Sequence, residues 1–118
     1  MEAACRGARE SGGTTIGILP GTDRAAANAY VDVAIATGLG EARNTLVVRA
    51  ADAVIAVAGE FGTLSEIAFA LKVGKPVVGI ATWELARGGA AVEAIERARD
   101  PAEAVERALA LAAAAPPA

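Results

Sequence analysis

No histidine occurs among the 118 residues. That absence removes Ser-His-Asp triads, histidine zinc sites and histidine general bases together; no metal site is expected. Cysteine is reduced to Cys5, so there is no disulfide framework, and a reducing, cytoplasmic setting is the expectation. In an alanine-rich helix that thiol reads as a small packing residue. Aromatic residues make up 3% of a chain that is 54% hydrophobic, which turns the reading away from an aromatic-rich β-sandwich. No apolar run approaches the ~20 residues that span a bilayer. The opening "MEAACRGARE" is charged and has no apolar targeting core, so no membrane partner is expected. A basic excess is missing too: the net charge is −3, against the positive stripe of a nucleic-acid binder.

What the chain has in quantity is alanine, 32 residues of it. A core of such small side chains suits closely approaching helices and parallel strands. Residues 2–10 read as a helix that "SGG" ends, and "TTIGILP" as a short buried strand stopped by Pro20. "GTDRAAANA" reads as a loop with one helical turn. "YVDVAIAT" alternates, with Val31, Val33 and Ile35 on one side and Asp32 on the other, as in a half-exposed or edge strand. After the turn "GLGE", "ARNTLVVRAA" reads as a short helix with Leu46, Val47 and Ala50 at helical spacing. "DAVIAVAG" is continuous and β-branched, which predicts a strand buried on both faces of a parallel sheet. "GTLSEIAFALKVG" is a helix; Thr63 at its start and Glu66 three residues on match a capping box, and Gly74 ends it. "KPVVGIAT" is a second buried strand, "WELARGGA" a loop, and "VEAIERA" a candidate for a last short strand. "DPAEAVERALALAA" is a helix with Asp100 at its N-cap and Pro101 behind it. The tail, 112–118, is expected to fray. Strands alternating with helices imply parallel pairing with right-handed crossovers, and ligands of such sheets lie beyond the carboxyl ends of the strands.

"AVAGEFGTLSE", residues 56–66, occupies such an end. Gly59 and Gly62 let the backbone take conformations closed to other residues and approach a ligand. The following helix offers free N–H groups and the positive end of its dipole, an arrangement suited to a phosphate or carboxylate. Thr63 adds a hydroxyl, whereas the Glu60 carboxylate has to point away from an anion. Two glycines can equally do no more than make a tight turn, and Glu66 can serve only as a cap. Arg43 opens the preceding helix. If that helix runs back along the strand, ~12 Å of helix against ~20 Å of strand returns Arg43 to the same rim, to clamp a phosphate or to pair with Glu66.

The run "TGLGEARNTLVVRAADAVIAVAGEFGTLSEIAFALKVGKPVVGI" resembles the SLOG superfamily, the Rossmann-like group once called lysine decarboxylase-like. Within it the chain is most similar to the molybdenum-cofactor carrier branch, by Arg43-Asn44, "GTLSE" at 62–66 and "GKPVVG" at 74–79. "GGTTIGILPG" and "NAYVDVAIATGLG" fit the same branch. The resemblance implies a Rossmann-like α/β fold, a bound nucleotide-like or pterin-phosphate ligand such as the molybdenum cofactor, and a homo-oligomer. It also implies ligand contacts from Thr37, Gly38, Arg43, Asn44, Gly59, Glu60, Phe61, Gly62 and Thr63. A sister branch, the Lonely Guy phosphoribohydrolases, carries Pro-Gly-Gly-x-Gly-Thr-x-x-Glu and an upstream Arg-Lys. Its catalytic Arg and Glu fall on Arg43 and Glu66, but Ala58 stands where that motif has Pro, Glu60 where it has the second Gly, and Asn44 where it has Lys.

Family members open with two strands, a helix and a Gly-rich loop, and "MEAACRGARESGG" resembles the segment that follows that loop. The expectation is therefore a single Rossmann-like domain over 1–118, incomplete at its N-terminus and lacking two family strands, that binds a phosphate-bearing small molecule. The alternatives are an N-glycosidic hydrolase acting on nucleoside 5′-monophosphates, and an inert fragment.

Overall fold

The structure, a computed structural model, describes residues 1–114. The chain divides into two compact units, Met1–Leu46 and Val47–Ala118.

In the first unit, helix α1 (Glu2–Glu10) ends where Gly12 takes φ +83°. Strands β1 (Ile16–Leu19) and β2 (Val33–Ala36) pair in parallel, Ile16 opposite Val33 and Leu19 opposite Ala36. A single turn of 3-10 helix lies between them, capped by the Asp23 carboxylate. One polar cluster ties these pieces together. The buried Thr15 donates its hydroxyl to the Tyr30 carbonyl at 2.5 Å and its N–H to Asp32 Oδ2 at 2.9 Å. The Asp32 N–H donates back to Thr15 Oγ1 at 2.8 Å, and Arg9 of α1 stands 3.3 Å from Asp32 Oδ1. Val33 and Ile35, expected to mark the covered side of their strand, are both 46% exposed. Helix α1 is polar and has no buried residue.

The second unit is a three-layer α/β arrangement. Its parallel sheet has the order β3 (Val54–Val57), β4 (Val77–Ile80), β7 (Glu96–Arg97). Val54 lies opposite Val77, and Val78 opposite Glu96. Successive residues of β4 face opposite sides, and the two cores follow that alternation. Val77 joins Ala56 and Ile95 with Ile67 and Ala70 of α3 (Phe61–Lys72) and Val48 of α2 (Arg43–Ala50). Val78 joins Ala98 with Ala104 and Ala108 of α4 (Pro101–Ala114). Alanine at these helix positions lets the layers close tightly, and Gly79 serves the same end: a Cβ there would come within 2.7 Å of Thr82 and 3.0 Å of Ile95.

The elements otherwise depart from the sequence reading in five places. β1, read as a buried strand, has no buried residue, and its Ile16 is exposed. Val48 is the buried residue of α2, while Leu46 and Ala50 of the expected apolar face are exposed. β3 is covered on one face only: Ala56 is buried, but Ile55 and Val57 are exposed. β3 is the end strand of its sheet, and α4 centres its buried alanines on Val78 of β4. The expected loop at 83–90 contributes to a hairpin, β5 (Leu85–Arg87) and β6 (Ala90–Val92), turned by Gly88 and Gly89 at φ +57° and +82°, the left-handed pair such two-residue turns require. Finally, α4 begins as expected, with the Asp100 carboxylate accepting from the Glu103 N–H at 2.8 Å. It continues through Ala114, so 112–114 of the expected frayed tail is helical, and 115–118 lie outside the described residues. Among the described residues no helix is long and apolar enough to cross a membrane.

The Thr15 N–H, then the Thr15 hydroxyl and the Arg9 guanidinium, hold the Asp32 carboxyl below its usual value against an opposing effect of desolvation. A carboxyl with a lowered folded-state pKa stabilises above its unfolded value and loses that contribution as pH falls through the folded one. Asp32→Asn is therefore expected to melt at a lower temperature than the parent at pH 7. The gap should begin to narrow as the pH falls below the ordinary aspartate value of ~3.9 and close only below the lowered folded-state value; a gap independent of pH would assign the effect to packing.

Candidate functional site

At the carboxyl ends of β3 and β4 the backbone does something unusual twice. Ala58 and Ala81, each the first residue past its strand, take φ +47° and +46°. For an L-residue with a Cβ this left-handed conformation costs about 1–2 kcal/mol, and such strain tends to gather at functional positions. The two residues are held by their neighbours. The Ala58 N–H donates to the Ile80 carbonyl at 3.0 Å, and the Thr82 hydroxyl donates to the Ala58 carbonyl at 2.5 Å.

Gly59 follows at φ +94°, and a Cβ on it would fall 2.2 Å from Thr63 Oγ1 and 2.4 Å from Thr63 Cβ. The chain thus folds straight back onto the helix it is about to enter. Glu60 is the N-cap of α3, without a side-chain capping bond. Its carbonyl accepts from the Leu64 N–H and from the Trp83 indole N–H, both at 3.1 Å. Leu64 makes the first helical hydrogen bond, so the N–H groups of Phe61, Gly62 and Thr63 lie ahead of it with no intrahelical acceptor. Gly62 is exposed, and a Cβ added to it would meet nothing within 4 Å. Positive dipole, orphan N–H groups and an unobstructed approach are the requirements of an anion-binding helix start.

Thr63 does not start the helix as the capping-box pattern suggests. It is the third helical residue, because the left-handed turn at 58–59 lets Phe61 and Gly62 enter the helix first. Glu66, half-buried, therefore stands in the second turn. Ser65 donates its hydroxyl to the Gly62 carbonyl at 2.7 Å. The Phe61 ring is 73% exposed and lies 5.5 Å from the Trp83 ring.

The sequence-predicted residues fall into two groups, one in each unit. Gly59, Glu60, Phe61, Gly62, Thr63 and Glu66 line the β3–α3 turn. In the first unit, Thr37 and Gly38 follow β2: the Thr37 hydroxyl donates to the Leu19 carbonyl at 2.6 Å, and Gly38, at φ +64°, donates its N–H to the Gly21 carbonyl at 2.8 Å. Arg43 donates from Nη1 to the Ile18 carbonyl of β1 at 3.1 Å. Its Nε is buried and has no hydrogen-bond partner among the described residues. Asn44 is half-buried beside it in sequence.

Sequence reasoning noted Ala58 only as a departure from the hydrolase motif and did not single out Ala81, Thr82 or Trp83. Trp83 did carry a signal, being the one tryptophan of an aromatic-poor chain and sitting three residues past a buried strand. Two shallow cavities of the second unit, of about 330 Å³ against the hairpin and about 270 Å³ between β3 and α4, are not lined by residues of the 58–66 turn.

The chain as a whole is similar to known proteins. The chain is 46% identical over 80 residues to an uncharacterised protein of Archaeoglobus fulgidus; the match takes in 68% of this chain and 52% of that protein, so the chain spans about half the length of that curated relative. A molybdenum cofactor binding protein from Rippkaea orientalis superposes with a TM-score of 0.79 at 35% identity, over 94% of this chain and 70% of that one. The molybdenum cofactor carrier protein of Chlamydomonas reinhardtii gives 0.75 at 36%, over 93% and 69%. The fold is accordingly the Rossmann-like α/β fold of SLOG proteins. Residues 1–110 match the model of the SLOG cluster4 family, and the chain belongs to that family.

Proposed function

We propose that this chain binds a phosphate-bearing nucleotide-like or pterin-type ligand, with the molybdenum cofactor as the leading candidate, and that it acts as a carrier. The observation that supports this best is the β3–α3 turn, where Gly59 packs on Thr63 and the first N–H groups of α3 stand open beside Gly62. That geometry fits the phosphate end of such a ligand. The structures of similar proteins described as binding or carrying the molybdenum cofactor support the same ligand class. When bound, that cofactor brings a redox-active metal; the part of this chain is to hold and orient the phosphate. Within the first unit, Thr37, Gly38, Arg43 and Asn44 are proposed as ligand-binding residues on their own account, and the partnerless Nε of Arg43 is the reason to include that guanidinium.

The loop's conformation weighs against the hydrolase reading. Proline is locked near φ −65°, so it cannot occupy position 58 at φ +47°. The turn therefore departs from the enzyme motif in shape as well as in composition.

Exposed apolar side chains support a homo-oligomer. On β3 and α4, Ile55, Val57, Val105 and Leu109 are 38%, 59%, 50% and 67% exposed. An assembly of dimer size or larger, burying more than ~1,000 Å², is expected in light scattering at micromolar concentration; a monomer mass would contradict it.

The turn is tested with two glycine variants and calorimetric titration against nucleoside monophosphates and pterin phosphates. Gly62→Val is expected to fold normally and lose at least ~10-fold in affinity, about 1.4 kcal/mol. Gly59→Ala is expected to lose at least about 2 kcal/mol of stability, through backbone strain and a forced shift of Thr63. Full affinity in a folded Gly62→Val protein would remove the turn from the site.

Arg43 and Glu66 separate carrier from enzyme. Arg43→Ala should weaken binding by about 1.5–3 kcal/mol, the range for a hydrogen bond to a charged group; a fall in melting temperature alone would make Arg43 purely structural. No free base should accumulate from AMP. Base release that Glu66→Gln abolishes would overturn the carrier reading in favour of the hydrolase.

A further inference from the structure

The chain has four aromatic residues, and two of them meet at this turn. Phe61 is the first residue of α3, and 73% of it is exposed. A single exposed apolar side chain is ordinary on a protein surface. This one differs in being held. Its ring centroid lies 5.5 Å from that of Trp83, with the planes inclined at 37°, within the range of favourable aromatic pairs. Trp83 in turn is fixed at both ends. Its indole N–H is bonded to the Glu60 carbonyl at 3.1 Å, and its body packs on the core of Val48, Ala56 and Ile67. Phe61 is thus a braced ring with most of its surface open, one residue from Gly62.

We infer that Phe61, steadied by Trp83, is the stacking face for a planar heteroaromatic ring carried on the same ligand whose phosphate binds the α3 start. The inference rests on the anion-binding reading of the turn and adds a specificity to it. A helix start alone accepts any small phosphate. A preset aromatic face beside it favours a phosphate joined to a fused heterocycle, a purine or a pterin, over a bare sugar phosphate. Stacking does not depend on the hydrogen-bonding edge of the ring, so this residue selects for a flat ring without choosing among rings. The ordering entropy is low because Phe61 is already in place, which is the general advantage of a preorganised contact.

Trp83 is the sole tryptophan, so its fluorescence reports on this corner of the full chain alone. Three probes suffice: AMP, neopterin monophosphate and ribose 5-phosphate, each titrated into the parent, Phe61→Leu and Phe61→Tyr. Unchanged cooperative melts, expected for an exposed position, verify the fold of both variants. The inference expects at least one ring-bearing probe to bind the parent more tightly than ribose 5-phosphate and to shift or quench the Trp83 emission. Phe61→Leu should weaken that ring-bearing probe roughly 5- to 150-fold, the span of one aromatic–base stack, and leave ribose 5-phosphate within about twofold. Phe61→Tyr should restore most of the loss. If the ring-bearing probes bind parent and Phe61→Leu equally, or no more tightly than ribose 5-phosphate, the stacking role is wrong while the anion site stands. If none of the three binds the parent, the anion site fails and the stacking role falls with it.

Discussion

The contact between Gly59 and Thr63 is the constraint on which the site depends. With a Cβ excluded at 2.2 Å, the chain leaving β3 can reverse at once and begin α3 at Phe61. A longer connection would carry the helix start away from the strand end and separate its orphan N–H groups from the sheet edge. The same closeness decides the neighbours. Ala58 must turn left-handed to deliver Gly59, and its carbonyl is then free to accept from Thr82, while the Glu60 carbonyl is placed to accept from Trp83. A single missing methyl group thereby organises a strand, a helix and the loop after β4.

Small side chains do comparable work in the layers beneath. Ala70, Ala104 and Ala108 are the helix residues nearest the sheet, joined by Ile67 and Val48. Layers that approach this closely gain contact from backbone as well as side chain, which compensates in part for the limited apolar area alanine can bury. The arrangement leaves little slack, as the crowding around Gly79 illustrates. It also leaves β3 thinly covered: an alanine helix centred over β4 does not reach far enough to cover Ile55 and Val57.

Much of the fold was legible because local signals are strong where they are backbone signals. Asp100-Pro101 placed the start of α4, Gly12 and Gly74 the ends of α1 and α3, and the apolar run at 77–80 a strand buried along most of its length. Burial was less legible, because it depends on partners that periodicity does not name. Val33 and Ile35 alternate like core residues and are nevertheless exposed. The hairpin at 85–92 hid behind an alanine- and arginine-containing segment of weak β propensity and was set by its Gly-Gly turn. In the site, the two glycines and the presence of a helix after them could be read directly. The left-handed alanines could not, because alanine carries no sequence mark of positive φ, and Thr63 was misplaced by two residues for the same reason.

Ala58 bears on how the family can change. In sequence space, a loop with alanine here and one with proline differ by a single substitution, and a tree drawn from sequences would treat them as adjacent. In conformational space they are far apart, since one needs φ near +47° and the other near −65°. Glycine suits both, so the two motifs can be joined through a glycine at this position. Only the direct exchange of alanine for proline is closed while the turn keeps its left-handed residue.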